Sequence, residues 1–279
     1  MSNPVAAPSL RAAFARLRPA GVVALVVVLA ILVAAVWPGL IAPGDPLAIA
    51  PTDALAPPSL AHLFGTDESG RDIFTRVVHG TAPSVGIGLA ATGIGIGAGL
   101  VLGFASGLGP KALDAALGRV IEVLFALPTL VMALLLVAVM GPGTGAAVLA
   151  IGAATAPGYA RILRARVRAV AGSGYVEYAR LEGTRRTRVF LRHIAPNTLW
   201  PLVGVATLGI GQAIVWVSAL SFLGFGTLPP SPEWGAMLNA GRVYISTAWW
   251  MTIFPGLAIV VTATALTVLG RTAAGGGRR

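Results

Sequence analysis

Residues 175–197 read YVEYARLEGTRRTRVFLRHIAPN and place Arg180, Arg185, Arg186, Arg188 and Arg192 close together in a chain that is 56% hydrophobic and only 11% charged. The stretches on either side, 123–160 and 194–232, are uncharged. In soluble domains about a quarter of residues are charged and apolar runs are short, so such runs belong to a bilayer. The cationic segment is therefore a loop between spans.

Working outward, the uncharged or nearly uncharged blocks are 19–44, 80–110, 123–160, 194–232 and 243–270. A span needs about 20 residues at 1.5 Å rise to cross a hydrocarbon core of about 30 Å. Block 123–160 is interrupted by Gly141-Pro142-Gly143-Thr144-Gly145 and reads as two spans. The third span is expected to begin near Glu122 and to kink at Pro128, the fifth to end near Phe222 ahead of FGTLPPSP, and the sixth to run from Ala248 to Gly270 across Pro255. The expected class is an all-α, polytopic membrane protein of six spans.

With the N-terminus inside, seventeen of the twenty basic residues fall on the cytoplasmic side, nine of them between the fourth and fifth spans, and Arg71, Arg76 and Arg242 fall outside. This asymmetry predicts cytoplasmic termini, and it accounts for the formal charge of +10 without nucleic acid. Ala48-Ile49-Ala50 resembles a signal-peptide cleavage site, but the apolar run Ala20–Trp37 is too long for an h-region and ends well before it. The organisation read from the sequence is a cytoplasmic tail over 1–19, a first span over 20–40, an extracytoplasmic segment over 41–79, a five-helix core over 80–270 containing the loop 161–197, and a tail over 271–279. With no cysteine, disulfides and thiolate metal sites are excluded.

The external cluster Asp67, Glu68, Arg71 and Asp72, with His62 and His79, invites a metal or hydrolase reading. Turn and cap residues are the simpler account: Asp67 or Ser69 capping a short helix through Ile73–Val78, with Asp72 in its first turn. Docking of an external partner is the other option. In the second span Gly95, Gly99, Gly103 and Gly107 recur every four residues, beside Gly93 and Gly97. That ladder implies close helix packing, within this subunit or against another.

Within the cationic loop, Arg161, Arg164 and Arg168 form one stripe of a helix leaving the fourth span. Ala171-Gly172-Ser173-Gly174 breaks it. Ser173 or Gly174 then caps a short helix from Tyr175 to Gly183, with Glu177 in its first turn. A second helix is expected from Thr184 to Pro196, with Arg185, Arg188 and Arg192 on one face and Phe190, Leu191 and Ile194 on the other. An interfacial helix on anionic lipid is the plain reading. It leaves Glu177, Glu182, Tyr175 and Tyr178 without a purpose, whereas a helix seated in a protein cleft uses both charges and aromatic anchors.

Glu177-Tyr178-Ala179, then Gly183, then Ile194-Ala195-Pro196 resembles the cytoplasmic EAA loop of ABC-importer permeases. FGTDESGRDIFTRVVHG (64–80), PGYARILRARV (157–167), RHIAPN (192–197) and SFLGFGTLPPSPEWGAML (221–238) are similar to stretches of the dipeptide, oligopeptide and nickel importer permeases, in the subunit with the shorter external region. The resemblance covers about residues 15–270. Tyr178 stands where that family has Ala, Ala195 where it has an aliphatic residue, and the ending LGRTAAGGGRR lacks the usual acidic tail.

The resemblance implies a type I ABC-importer permease fold in a bacterial inner membrane. It implies as partners a second permease, two cytoplasmic ABC ATPase subunits that bind ATP and Mg, an extracytoplasmic solute-binding protein, and membrane lipid. It assigns coupling to the ATPase to Glu177, Tyr178, Ala179, Leu181, Glu182, Gly183, Arg185 and Arg188, and binding-protein docking to Asp67, Arg71, Asp72, Glu233 and Trp234. Di- or oligopeptides are the implied cargo; nickel, glutathione or another small solute is the alternative. The chain's single lysine, Lys111, lies outside any G-x-x-x-x-G-K-[ST] motif, so no cofactor is expected here and ATP hydrolysis falls to another chain. Three histidines on opposite sides of the bilayer make an enzyme the weakest reading. A self-sufficient secondary carrier is weakened because no ionisable residue sits at mid-membrane.

Overall fold

The computed structural model describes residues 19–275. The tail predicted over 1–19 lies outside the described residues apart from Pro19, and so do Arg278 and Arg279. The principal helices are α1 (Pro19–Val36), α2 (Ile73–His79), α3 (Thr81–Leu108), α4 (Lys111–Ala126), α5 (Thr129–Met140), α6 (Thr144–Ala171), α7 (Gly174–Leu181), α8 (Leu202–Phe222), α9 (Trp234–Gly241) and α10 (Trp250–Gly275). Among the described residues the only β pairing is an isolated bridge between Thr66 and Asp72. Five segments are long and apolar enough to cross a membrane, with α2 and α3 counted as one, and α4 with α5 makes a sixth if that bent pair is one span.

The third span departs from its sequence reading. It does not begin near Glu122, since α4 starts at Lys111, but the kink expected at Pro128 is present: α5 leaves α4 at 95°. Pro128 forces the residue before it out of the helical region, and Leu127 is extended at φ −79°, ψ 134°. The twelve residues of α5 reach about 18 Å, short of a bilayer core. Elsewhere the proline readings divide. Pro157 and Pro255 sit inside continuous helices, while Pro196 opens the helical turn Ala195–Leu199 instead of closing one.

The core is built on α3 and α6. Gly95 lies against Thr155 and Tyr159, Gly99 against Tyr159 and Ala160, Gly103 against Leu163, and Gly107 against Val167. The glycine ladder thus packs within this chain, while Gly93 and Gly97 have nothing near them. One apolar cluster joins Ala91, Ala133, Val137, Ala147, Ala150 and Ile151 with Val217 and Leu220. The prolyl and acidic segments gather at one end, where Gly143 N–H donates to the Phe225 carbonyl at 3.1 Å and Arg76 donates to the Pro230 carbonyl at 3.3 Å. The arginine-rich loop closes the opposite end.

Candidate coupling site

At the arginine-rich end the chain folds over a core of its own. Leu163 and Val167 of α6, Val176 and Ala179 of α7, and Val189, Ile194 and Leu202 form one buried cluster. In α7 the buried residues are Val176 and Ala179, three apart, so one narrow stripe fastens the helix. Burying a valine side chain contributes about 1.5–3 kcal/mol, enough to hold two turns of helix that would be unstable alone.

Glycine makes the stop. Gly183 has φ +77°, its N–H donates to the Arg180 carbonyl at 3.1 Å, and Thr184 N–H donates to the Ala179 carbonyl at 3.2 Å. This pair of bonds is the Schellman motif, which favours glycine at the left-handed position. Ser173 occupies the N-cap position, but its hydroxyl turns back to the Val170 carbonyl and caps nothing.

The remaining face of α7 points away from the protein. Glu177, Tyr178, Arg180, Leu181 and Glu182 are exposed, Tyr178 at 63% and Leu181 at 81%. Tyr178 therefore needs no room inside the fold, and Ala179, which the family pattern shares, is the position that does. The following segment differs from the sequence reading. Leu191 is exposed and borders an open recess of about 490 Å³ with Arg185, Thr187, Arg188 and Arg192, while Val189 and Ile194 are buried. Ala195 N–H reaches back five residues to the Phe190 carbonyl. That wider turn shifts the phase of the helix and carries Leu191 off the apolar face.

At the other end the predicted docking residues separate. Glu233 and Trp234 are 1% and 2% exposed, so they serve the fold and offer no docking surface. The Glu233 carboxylate caps α9, accepting from Gly235 and Ala236 N–H at 2.8 and 2.9 Å, and Trp234 Nε1 donates to the Val77 carbonyl at 2.9 Å. Burial pushes the Glu233 carboxyl above its ordinary range, opposed by these two N–H groups and the Ser221 hydroxyl. Asp67 is also buried: it accepts from Ser69 and Arg71 N–H and faces the guanidinium groups of Arg71 and Arg76 at 3.5 and 3.7 Å. Asp72, not Asp67 or Ser69, caps α2, accepting from Thr75 N–H at 2.8 Å and facing His62 Nδ1 at 3.1 Å. Arg71 and Asp72 keep partial exposure. The sequence did not draw attention to Arg76, which is buried and bridges Asp67 to the carbonyls of Pro46 and Pro230.

A helical subunit whose spans close on a glycine ladder, and which holds a short helix beyond them by one face, belongs to the class of multi-span membrane proteins. The family described as binding-protein-dependent transport system inner membrane component matches residues 95–273, and this chain belongs to it. The chain is 39% identical to the dipeptide transport system permease protein DppC of Escherichia coli (strain K12), over 89% of this chain and 85% of that one. It is 38% identical to the di/tripeptide transport system permease protein DppC of Pseudomonas aeruginosa (strain UCBPP-PA14), over 82% and 78%. It is 34% identical to the DppC of Alkalihalophilus pseudofirmus, over 89% and 82%. Among solved structures, a chain of the MetNI methionine ABC transporter in inward facing conformations shares the fold, with TM-score 0.54 and 17% identity over 70% of this chain and 94% of that one. The chain is a transport permease subunit and not an enzyme.

Proposed function

We propose that this chain, with a second permease, forms the path for di- and oligopeptides across a bacterial inner membrane. Its termini are cytoplasmic, an extracytoplasmic binding protein delivers the cargo, and two cytoplasmic ATPase subunits bind ATP and Mg; this chain holds no cofactor. The names of the relatives support the cargo. The observation that carries the mechanism is α7, fastened by Val176 and Ala179 while Tyr178 and Leu181 stand exposed beyond the spans. Apolar and aromatic side chains displayed this way suit a groove in a partner. Glu177 and Glu182 flank them, and Gly183 sets the angle at which the helix is presented.

A second permease is supported by Gln212, the chain's only glutamine, which lies at the middle of α8 and is exposed. A carboxamide facing hydrocarbon without a partner costs several kcal/mol, so this face suits a wet path or a neighbouring subunit. Docking of the binding protein moves from Glu233, Trp234 and Asp67 to exposed neighbours at the same end, among them Leu60, Leu228 and Val243.

The chain has no cysteine, which makes single-cysteine probes clean. Leu181→Cys is expected to crosslink to an ATPase subunit of the assembled complex. Gly183→Pro, whose ring cannot adopt φ +77°, is expected to lose cargo-stimulated ATP hydrolysis while still inserting in the membrane. Normal stimulation in that variant, together with no ATPase crosslink from position 181, would overturn the assignment.

A further inference from the structure

Asp114 lies outside the proposed coupling and docking residues, yet three helices meet on it. It lies in the first turn of α4 with its side chain 15% exposed. Its carboxylate accepts from the Ser106 hydroxyl of α3 at 2.7 Å and from Arg164 Nε of α6 at 2.8 Å, and it contacts the Arg168 guanidinium. Arg164 also donates to the Asp114 backbone carbonyl at 3.2 Å. One turn on, Gly118 lies so close under the Arg164 guanidinium that a Cβ there would stand 2.5 Å from Nη2. Two turns beyond that, the Phe125 ring carries the Arg161 guanidinium at 5.1 Å. The arginine stripe of α6 is thus laid along α4, each of its three members with a partner there.

What lies at the two ends of this contact gives it a consequence. α6 passes through only Gly172 and Ser173 into α7, whose N-terminal amides at Val176 and Glu177 bond back to the Ser173 carbonyl at 3.0 Å. α4 ends at the 95° break before Pro128. We propose that Asp114 is a positioning residue for coupling: it clamps α4 to the stem of α7, so that displacement of α7 moves α4 as one body and bends the chain at Leu127-Pro128. Charge-assisted bonds are stronger than neutral ones, and a single carboxylate serving two guanidinium groups resists sliding of one helix along the other. The break supplies the compliance, because no helical hydrogen bonds carry α4 directly into α5. This inference rests on the reading of α7 as the ATPase contact.

The experiment uses the complex of this chain with its partner permease, ATPases and binding protein in proteoliposomes, with spin labels on cysteines placed at the exposed Ala115 of α4 and Ala169 of α6. With Asp114 present, the distance between the labels is expected to be the same without nucleotide and with a non-hydrolysable ATP analogue. In Asp114→Asn it is expected to broaden or shift on nucleotide binding, and dipeptide uptake per ATP hydrolysed is expected to fall at least about fivefold, the lower end of a typical coupling between sites. Asp114→Glu should restore much of both. The proposal is overturned if Asp114→Asn leaves uptake per ATP unchanged, or lowers assembly, hydrolysis and uptake in proportion, as a purely structural residue would. Should that variant fail to assemble, Arg168→Gln, at a half-exposed position, reads the same ratio. A parent complex that takes up dipeptide without ATP would instead remove the reading of α7, whatever the labels show.

Discussion

Glu233 is a carboxylate buried to serve two N–H groups, and burial raises its proton affinity. The folded state therefore binds this proton more tightly than the unfolded chain. Its contribution to stability is fully present below the ordinary carboxylate range and is lost as pH rises from there through the elevated folded value. Thermal unfolding in detergent is expected to show a gap between the parent and Glu233→Gln that changes over this acid-to-neutral window; a gap that stays constant would contradict it. Glu233→Ala removes the cap as well and should cost about 1–2 kcal/mol below the window in which this carboxyl titrates. The resemblance to importer permeases placed Glu233 and Trp234 at a docking face, within a loop expected on the external side. Burial depends on what the rest of the chain brings against a residue, here Val77 from α2 and Ser84 from α3, and no local pattern carries that.

Helix α3 presents glycines in two different environments. A methyl on Gly99 would stand 2.6 Å from the Tyr159 Cβ and 3.1 Å from the Ala160 backbone nitrogen, neither of which can swing away. Gly99→Ala is therefore expected to lose about 1–3 kcal/mol through overpacking. Gly97 has open space around it, so Gly97→Ala should leave the isolated subunit as stable or up to about 1 kcal/mol more so, from helix propensity. Unfolding midpoints of the two purified variants decide this, and equal losses would mean that Gly97 is packed as Gly99 is. The ladder was legible because close approach demands small residues at a fixed period. Its partner was not, since the period of α3 says nothing about which helix lies opposite. The bend between α4 and α5 was half legible: Pro128 marks the break, but its angle follows from packing on both sides.

Across the whole molecule the two ends are held by different means. The arginine-rich end closes on an apolar cluster, with α7 riding on Val176 and Ala179. The opposite end is tied by Arg76, whose guanidinium reaches Pro46, Asp67 and Pro230 from three separated stretches of chain. Arg76→Ala leaves Asp67 buried with only Arg71 beside it, and is expected to cost about 3–5 kcal/mol. Limited proteolysis should then cut first within 42–72 while α3 to α8 stay intact; cleavage confined to the arginine-rich loop would refute this. The apolar spans and the cationic loop were legible because bilayer thickness and charge cost act on sequence directly. The tie through Arg76 was not, because its partners are mostly backbone carbonyls far away in sequence.

The glycine face of α3 also bears on how the protein is made. α1 is the most apolar of the spans and the least buried by the rest of the protein, so it can enter lipid unaided. α6 is the least apolar and carries Arg161, Arg164, Arg166 and Arg168 in its second half. By the time α6 leaves the ribosome, α3 and its berth of Gly95, Gly99, Gly103 and Gly107 are already synthesised. Insertion of α6 is then less a partition into lipid than an assembly step onto a helix made earlier.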